Sequence, residues 1–219
     1  MKYIFFLVSA VVAVGLGVFV YKGLQPAVNP DPNHLHADFA VWIDGKQLDF
    51  SGPEFMSAPP AEAASLPFVD AAFAHGDEED GHVVPGREYL HLHNGNGHVI
   101  HVHKPGLTIG DFFDSLSMPM TDACLTVNPQ RSYCIEDGKR WRMFVNGEEA
   151  VFGPNYVLKD LDKILLTWGS DDAAIAEQLK KLTDDACLYS QTCPWRGTPP
   201  AENCIADPTA SRRCMSELS

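Results

Sequence analysis

Alternating apolar and polar positions predict two β-hairpins in the first half of the chain. Residues 37–43 carry apolar side chains at alternate positions, as in a strand with one buried face. Asp44-Gly45 is a favoured two-residue turn, so a partner strand is predicted at 46–50. Residues 87–104 (REYLHLHNGNGHVIHVHK) predict a second hairpin with the NGNG segment at its tip.

The second half of the chain predicts two helices and further strands. Thr108 is a suitable N-cap for a short helix over 109–116. Apolar residues at helical spacing predict an amphipathic helix over 172–182. Strands are predicted at 124–127, 140–145, 148–152 and 163–168.

A long apolar run opens the chain. Residues 3–21 contain 19 residues without a charge, and at ~1.5 Å per residue such a helix spans the ~30 Å hydrocarbon core of a bilayer. The run predicts a transmembrane anchor, with a cleaved signal peptide as the alternative. The predicted organisation is an anchor or uncleaved signal at 1–21, a linker at 22–33, a histidine-rich domain at 34–169 with an insertion at 52–87, and a helix with a cysteine-rich tail at 170–219.

All six cysteines follow the apolar run. An even number behind an export signal predicts disulfides in an oxidising compartment, so the chain is expected to be a single-pass membrane protein with its body on the extracytoplasmic side. Local pairing of Cys124 with Cys134 is favoured, because it closes a loop of only about 11 residues. The four tail cysteines then leave three connectivities open: Cys187, Cys193, Cys204 and Cys214.

The order hairpin, short helix, strand, hairpin and final strand is that of a β-grasp fold. It predicts an α+β protein in which an N-terminal transmembrane helix precedes an elaborated β-grasp-like domain and a disulfide-stapled tail. Trp141–Gly169 (WRMFVNGEEAVFGPNYVLKDLDKILLTWG) resembles the end of transcobalamin-type β-grasp domains, and Leu107–Leu116 (LTIGDFFDSL) resembles the helix before it. The resemblance covers about 88–169 and implies a fold rather than a function, because the histidines and the tail are outside the family pattern.

Three H-x-H motifs carry the chemistry that the sequence suggests. Residues i and i+2 of a strand share one face with Cα atoms ~6.7 Å apart, so their imidazoles can converge on one metal ion at ~2.0–2.1 Å. Imidazole donors without thiolates suit Cu(II), Zn(II) or Ni(II), and Cu or Zn is the predicted cofactor. The candidate ligands are His34, His36, His91, His93, His98, His101 and His103.

Two registers of the second hairpin give different sites. If His93 lies opposite His101, then His91 pairs with His103 and four imidazoles share one face, with Leu92 and Val102 turned to the core. A tight turn at Gly95-Asn96 would pair His93 with His98 and send His101 and His103 to the other face. The first hairpin would add His34 and His36 if it neighbours the second. His75 and His82, in the acidic segment HGDEEDGH, are candidates for a second, weak cation site.

Charge and motif content narrow the function classes. A formal net charge of -13 argues against a nucleic-acid partner. The chain has no G-x-S-x-G, H-E-x-x-H, P-loop or GxGxxG motif, and Glu88 and Asp38 are the local candidates for the carboxylate base that a catalytic metal site would need. The predicted function is capture of a transition-metal ion by a membrane-anchored extracytoplasmic protein. The alternatives are a metal-independent module that binds an envelope protein or glycan, and a metal-dependent enzyme.

Overall fold

The computed structural model describes residues 27–57 and 84–198. With isolated β-bridges and 3₁₀ turns included, 34% of these residues are in strands and 18% are helical, so the described part of the chain is mostly β sheet. The predicted α+β class is therefore wrong. The physical reason is that the helices have only seven, six and four residues, too few to form a layer beside the sheet.

The predicted anchor at 3–21 lies outside the described residues, as do His75, His82, Cys204 and Cys214. No helix among the residues that the structure describes has the length and apolar character needed to cross a membrane. The α+β prediction included such a helix, and that part of it finds no support here.

Nine strands are described, and seven of them form one sheet. The order of the sheet is β3-β4-β1-β9-β7-β8, with β2 paired to the far end of β1. The two central strands, β1 and β9, run parallel, and the other neighbours are antiparallel. The strands are β1 (Leu35–Ile43), β2 (Lys46–Gln47), β3 (Leu90–His91), β4 (Val99–Val102), β5 (Cys124–Asn128), β6 (Arg131–Cys134), β7 (Arg140–Val145), β8 (Glu148–Ala150) and β9 (Lys163–Gly169).

Three short helices complete the fold: α1 (Ile109–Ser115), α2 (Ile175–Lys180) and α3 (Ala186–Tyr189). Thr108 is the N-cap of α1, as predicted, because its Oγ1 accepts the Asp111 N–H at 3.1 Å while the Asp111 carboxylate accepts the Thr108 N–H at 2.7 Å. The helix predicted over 172–182 begins as a 3₁₀ turn, and only α2 is α-helical.

One face of the sheet packs on α1 to form the main core. Phe39 from β1 and Phe112 from α1 are fully buried and meet edge to face with ring centroids 5.0 Å apart. Ile164 and Leu166 of β9 complete the same layer. Because side chains alternate along a strand, the even-numbered residues of β1 point to the opposite face.

That opposite face has two unlike halves. Near β7 and β9 it is apolar, and Trp42, Phe144 and Leu165 pack there against Ile175 of α2. Near β3 and β4 the buried side chains are polar, and α3 lies over them against β1. This polar half of the sheet contains the histidines.

Two disulfides hold the described part of the chain. Cys124–Cys134 joins β5 to β6, which confirms the predicted local pairing. Cys187–Cys193 closes a short loop that begins in α3. In the chain-entropy model a loop of this size contributes about 2 kcal/mol of stability, because the disulfide restricts the unfolded form of the segment that covers the polar half.

Candidate metal centre

The tip of the β3–β4 hairpin sets its register. Asn94 and Gly95 both have positive φ (57° and 70°), and the Asn96 N–H donates to the His93 carbonyl at 3.0 Å, which closes a tight turn. The Asn96 side-chain oxygen then accepts the N–H groups of His98 and Val99, at 3.0 and 3.1 Å. Regular pairing resumes at His91 and His101, so the second arm contains three more residues than the first between the turn and that pair.

The observed register differs from both predicted ones, because His91 lies opposite His101. Relative to the first predicted register the pairing has moved by two residues, and an even shift keeps every side chain on its face. The chain therefore presents four imidazoles on one face of the hairpin, while Leu92 and Val102 lie in the main core.

Strand β1 lies beside β4 and adds two more imidazoles. His36 is opposite His101, so one row across three strands contains His91, His101 and His36. The His34 ring stacks on His103 with centroids 4.1 Å apart. We call the six side chains the imidazole face; its members are His34, His36, His91, His93, His101 and His103.

Three of these side chains form a cluster that can hold a metal ion. One nitrogen from each of His34, His36 and His101 lies within 4.8 Å of the other two. In a tetrahedral site with bonds of ~2.05 Å the ligand nitrogens are about 3.3–3.4 Å apart. Side-chain rotations that move each ligand nitrogen by about 1 Å would therefore bring this cluster to the geometry of a bound ion. His93 Nε2 and His101 Nδ1 are already 3.2 Å apart.

Ser190 orients the His36 ring. The Ser190 hydroxyl donates to Asp160 Oδ1 at 2.5 Å and lies 2.8 Å from His36 Nδ1. Since its one proton is used on the carboxylate, the hydroxyl must accept from His36 Nδ1–H. His36 then carries its proton on Nδ1 and its lone pair on Nε2. Chains of carboxylate, donor and imidazole of this kind fix the tautomer of metal-binding histidines.

His91 is oriented in the same sense by the backbone. Its Nδ1 is 2.8 Å from the Arg87 carbonyl oxygen, which can only accept, so the proton is on Nδ1 and the lone pair on Nε2. Arg87 is held in turn by its donations to the Met56 and Ser115 carbonyls at 2.6 and 2.9 Å. Burial lowers the pKa of the Arg87 guanidinium.

No family model, curated protein or solved structure matches this chain. The resemblance of residues 88–169 to transcobalamin-type β-grasp domains stays a prediction from the sequence. What the chain offers toward a function is the chemistry of its own side chains.

Tyr189 covers the imidazole face from α3. Its ring lies edge-on to the His101 ring with centroids 4.8 Å apart, and 5.5 Å from the His36 ring. The Tyr189 hydroxyl accepts a hydrogen bond from the Asn96 amide at 3.1 Å, which ties α3 to the hairpin tip. The rings at the centre of the face are thereby shielded from water, whereas His34 and His103 are only partly buried.

Asp38 holds the covering segment in place. Its carboxylate is buried and accepts the N–H groups of Asp185 and Ala186 at 2.9 and 3.0 Å, together with the Thr183 hydroxyl. All of these donors are therefore at or just before the first turn of α3. Of the two carboxylates considered as a catalytic base, Asp38 has this structural role, and Glu88 is exposed and accepts the Gly86 N–H at 3.1 Å.

The structure brings six of the seven candidate ligands together, and His98 is the exception. Its Nε2 is 3.0 Å from Asp185 Oδ2, and its side chain is 37% exposed. The residues that sequence reasoning missed are Tyr189, Ser190 and Asp160, which surround the imidazole face from distant parts of the chain. The one signal that the sequence offered for the first two was their position between Cys187 and Cys193.

Proposed function

We propose that this protein captures a transition-metal ion, Cu(II) or Zn(II), on its imidazole face, and that it works in an oxidising compartment outside the cytoplasm. The observation that carries the proposal is the cluster of His34, His36 and His101, whose ligand atoms lie within 4.8 Å of one another. Neutral imidazole nitrogens are ordinary ligands of both ions.

Burial favours metal capture over a protonated polar face. His36, His91, His93 and His101 are each at most 5% exposed, and their rings are in mutual contact. Several imidazolium charges packed at such spacing away from water would repel each other and lose hydration. A bound cation, in contrast, accepts the lone pairs of neutral rings.

The cysteines support both the choice of metal and the compartment. The described cysteines form the disulfides Cys124–Cys134 and Cys187–Cys193. They therefore supply no thiolate to the centre, which leaves imidazole as the donor type and favours Cu(II) or Zn(II) over softer ions. Disulfides persist mainly in proteins of oxidising compartments, which supports an extracytoplasmic location.

Substitution of the cluster tests the proposal. We expect wild-type protein to bind Cu(II) or Zn(II), and replacement of His36 or His101 by Ala to weaken binding by about 100-fold or more, measured by isothermal titration calorimetry. His98→Ala is the matched control, because it removes a histidine that pairs with Asp185 instead. Circular dichroism verifies folding, and His36→Gln tests the same loss with better retained volume. Equal affinity of wild type and the triple variant at positions 34, 36 and 101 would exclude this centre.

The orienting hydroxyl provides a more selective test. Ser190→Ala removes the acceptor of the His36 Nδ1 proton but no metal ligand. We expect a 10–100-fold weaker affinity for Zn(II), the usual effect of losing such a partner. Ser132→Ala, which removes an exposed hydroxyl on β6, is expected to bind as wild type. If both serine variants retain full affinity in competition with a chromogenic chelator, the relay through Asp160 has no part in metal binding.

A further inference from the structure

We propose that the imidazole face holds two metal ions, each bound by the H-x-H pair from one of the two strands beside β4 and by one histidine that lies in β4 or directly follows it. The inference rests on the proposed function and deepens it. The first ion is assigned to His34, His36 and His101, and the second to His91, His93 and His103.

The number of donors exceeds what one ion uses. Zn(II) in proteins takes four ligands in most sites, and imidazole-bound Cu(II) takes about the same number around a square. The imidazole face offers six rings in a continuous set of contacts. A single four-coordinate ion would use at most four of the six.

The strand order divides the six rings into two groups. Strand β4 lies between β3 and β1, so the two H-x-H pairs are on strands about 10 Å apart. The β1 pair meets His101, whose ring centroid is 4.8 Å from that of His36. The β3 pair meets His103, whose ring centroid is 4.9 Å from that of His91.

The two groups differ in how closely they are assembled. The first group has its ligand atoms within 4.8 Å of one another. Among the described residues the second group does not form a nitrogen cluster of that kind, although the His91 ring lies 5.7 Å from the His93 ring and 4.9 Å from the His103 ring, so larger side-chain rotations are needed to bring these three onto an ion. His91 is nevertheless oriented for the purpose, because the Arg87 carbonyl holds its Nδ1 proton and leaves Nε2 as the donor atom. We therefore expect the first ion to bind more tightly than the second.

The groups touch each other along β4. The His93 and His101 rings are 3.9 Å apart, and the His34 and His103 rings are 4.1 Å apart. Two ions bound on either side of these contacts would be near neighbours, as in protein centres whose two ions are about 3.5–4 Å apart. Two Cu(II) ions at such a distance couple magnetically, which gives the arrangement a spectroscopic signature.

Metal content of the full chain tests the inference. Purified protein is loaded with Cu(II) or Zn(II), exhaustively dialysed, and measured by elemental analysis and native mass spectrometry. We expect two ions per chain, with the Cu(II) paramagnetic resonance signal growing up to one equivalent and falling toward the second. The variant His91→Ala/His93→Ala is expected to retain one tightly bound ion, and His34→Ala/His36→Ala to lose the tighter one.

Two further variants test whether histidines outside the imidazole face bind either ion. His98→Ala, outside the imidazole face, is expected to keep both ions. His75→Ala/His82→Ala tests whether the acidic segment HGDEEDGH takes the second ion, and it too is expected to keep both. One ion in the wild type, or loss of an ion in the 75/82 variant, would overturn the two-ion centre and leave the proposed function standing. No ion at all would overturn both, and two ions in the 91/93 variant would refute the assignment of ligands.

Discussion

Replacing Asp38 by Ala is expected to lower the free energy of unfolding by about 4 kcal/mol. The carboxylate is buried and accepts two backbone N–H groups and a hydroxyl from the segment that covers the imidazole face. Without it, the Ala186 N–H in particular is left buried with no acceptor, and each such group costs about 1–3 kcal/mol. Urea denaturation followed by circular dichroism measures the loss.

The control for this prediction is Asp137→Ala, which removes an exposed carboxylate from the turn between β6 and β7 and is expected to cost less than about 0.5 kcal/mol. Asp38→Asn is expected to lie between the two, because an amide offers one acceptor oxygen instead of two. A loss below about 1 kcal/mol in Asp38→Ala would show that water or another acceptor replaces the carboxylate, and that the covering segment is held by other contacts.

Metal ion at 1,000 times its dissociation constant is expected to stabilise the folded chain by about 4 kcal/mol. The physical reason is that the folded state brings the rings of the imidazole face together, whereas an unfolded chain offers only separate H-x-H pairs. For a chain of this size the midpoint of thermal unfolding is then expected to rise by about 8–16 °C, measured by scanning calorimetry with and without a chelator.

Variants separate this linkage from unspecific metal effects. His36→Ala removes a ligand of the compact cluster and is expected to lose most of the thermal shift, whereas His98→Ala is expected to retain it. Mg(II), which prefers oxygen ligands, is expected to produce no shift. A rise of equal size with Mg(II), or in His36→Ala, would mean that the ion binds elsewhere on this acidic chain.

Local elements were predictable because their signals are local. Asp44-Gly45 forms the expected turn with both φ values positive, and Thr108 caps α1 through two reciprocal hydrogen bonds. The balance of the whole fold was not predictable in the same way. The pattern over 172–182 has helical spacing, yet its first residues form a 3₁₀ turn and α2 ends at Lys180.

The register of the β3–β4 hairpin depended on one side chain. Both predicted registers were derived from the number of residues in the turn. In the structure the Asn96 oxygen also accepts two consecutive backbone N–H groups, so the residues after the turn do not pair with the first arm. The face of the histidines was still predictable, since Leu92 and Val102 belong in the core and alternation places their neighbours opposite.

The residues that surround the imidazole face could not be predicted from local sequence patterns. His36 and Ser190 are 154 residues apart, and the Ser190 partner Asp160 is in the loop before β9. Nothing in the spacing of these residues links them, because the contacts arise from the parallel pairing of β1 with β9 and the return of the chain over the sheet. Such long-range pairings follow from packing rather than from local periodicity.

The segment that covers the imidazole face is made late in synthesis, because it lies near the C-terminal end of the described residues. The segment with Tyr189 and Ser190 is synthesised about 150 residues after the first histidine pair. Until it emerges, the imidazole face lacks the Tyr189 cover and the Ser190 hydroxyl that orients His36. The assembled face is thus a property of the finished polypeptide, and the slow closure of distant contacts delays it further. Under the proposed function, we therefore expect metal loading to follow folding.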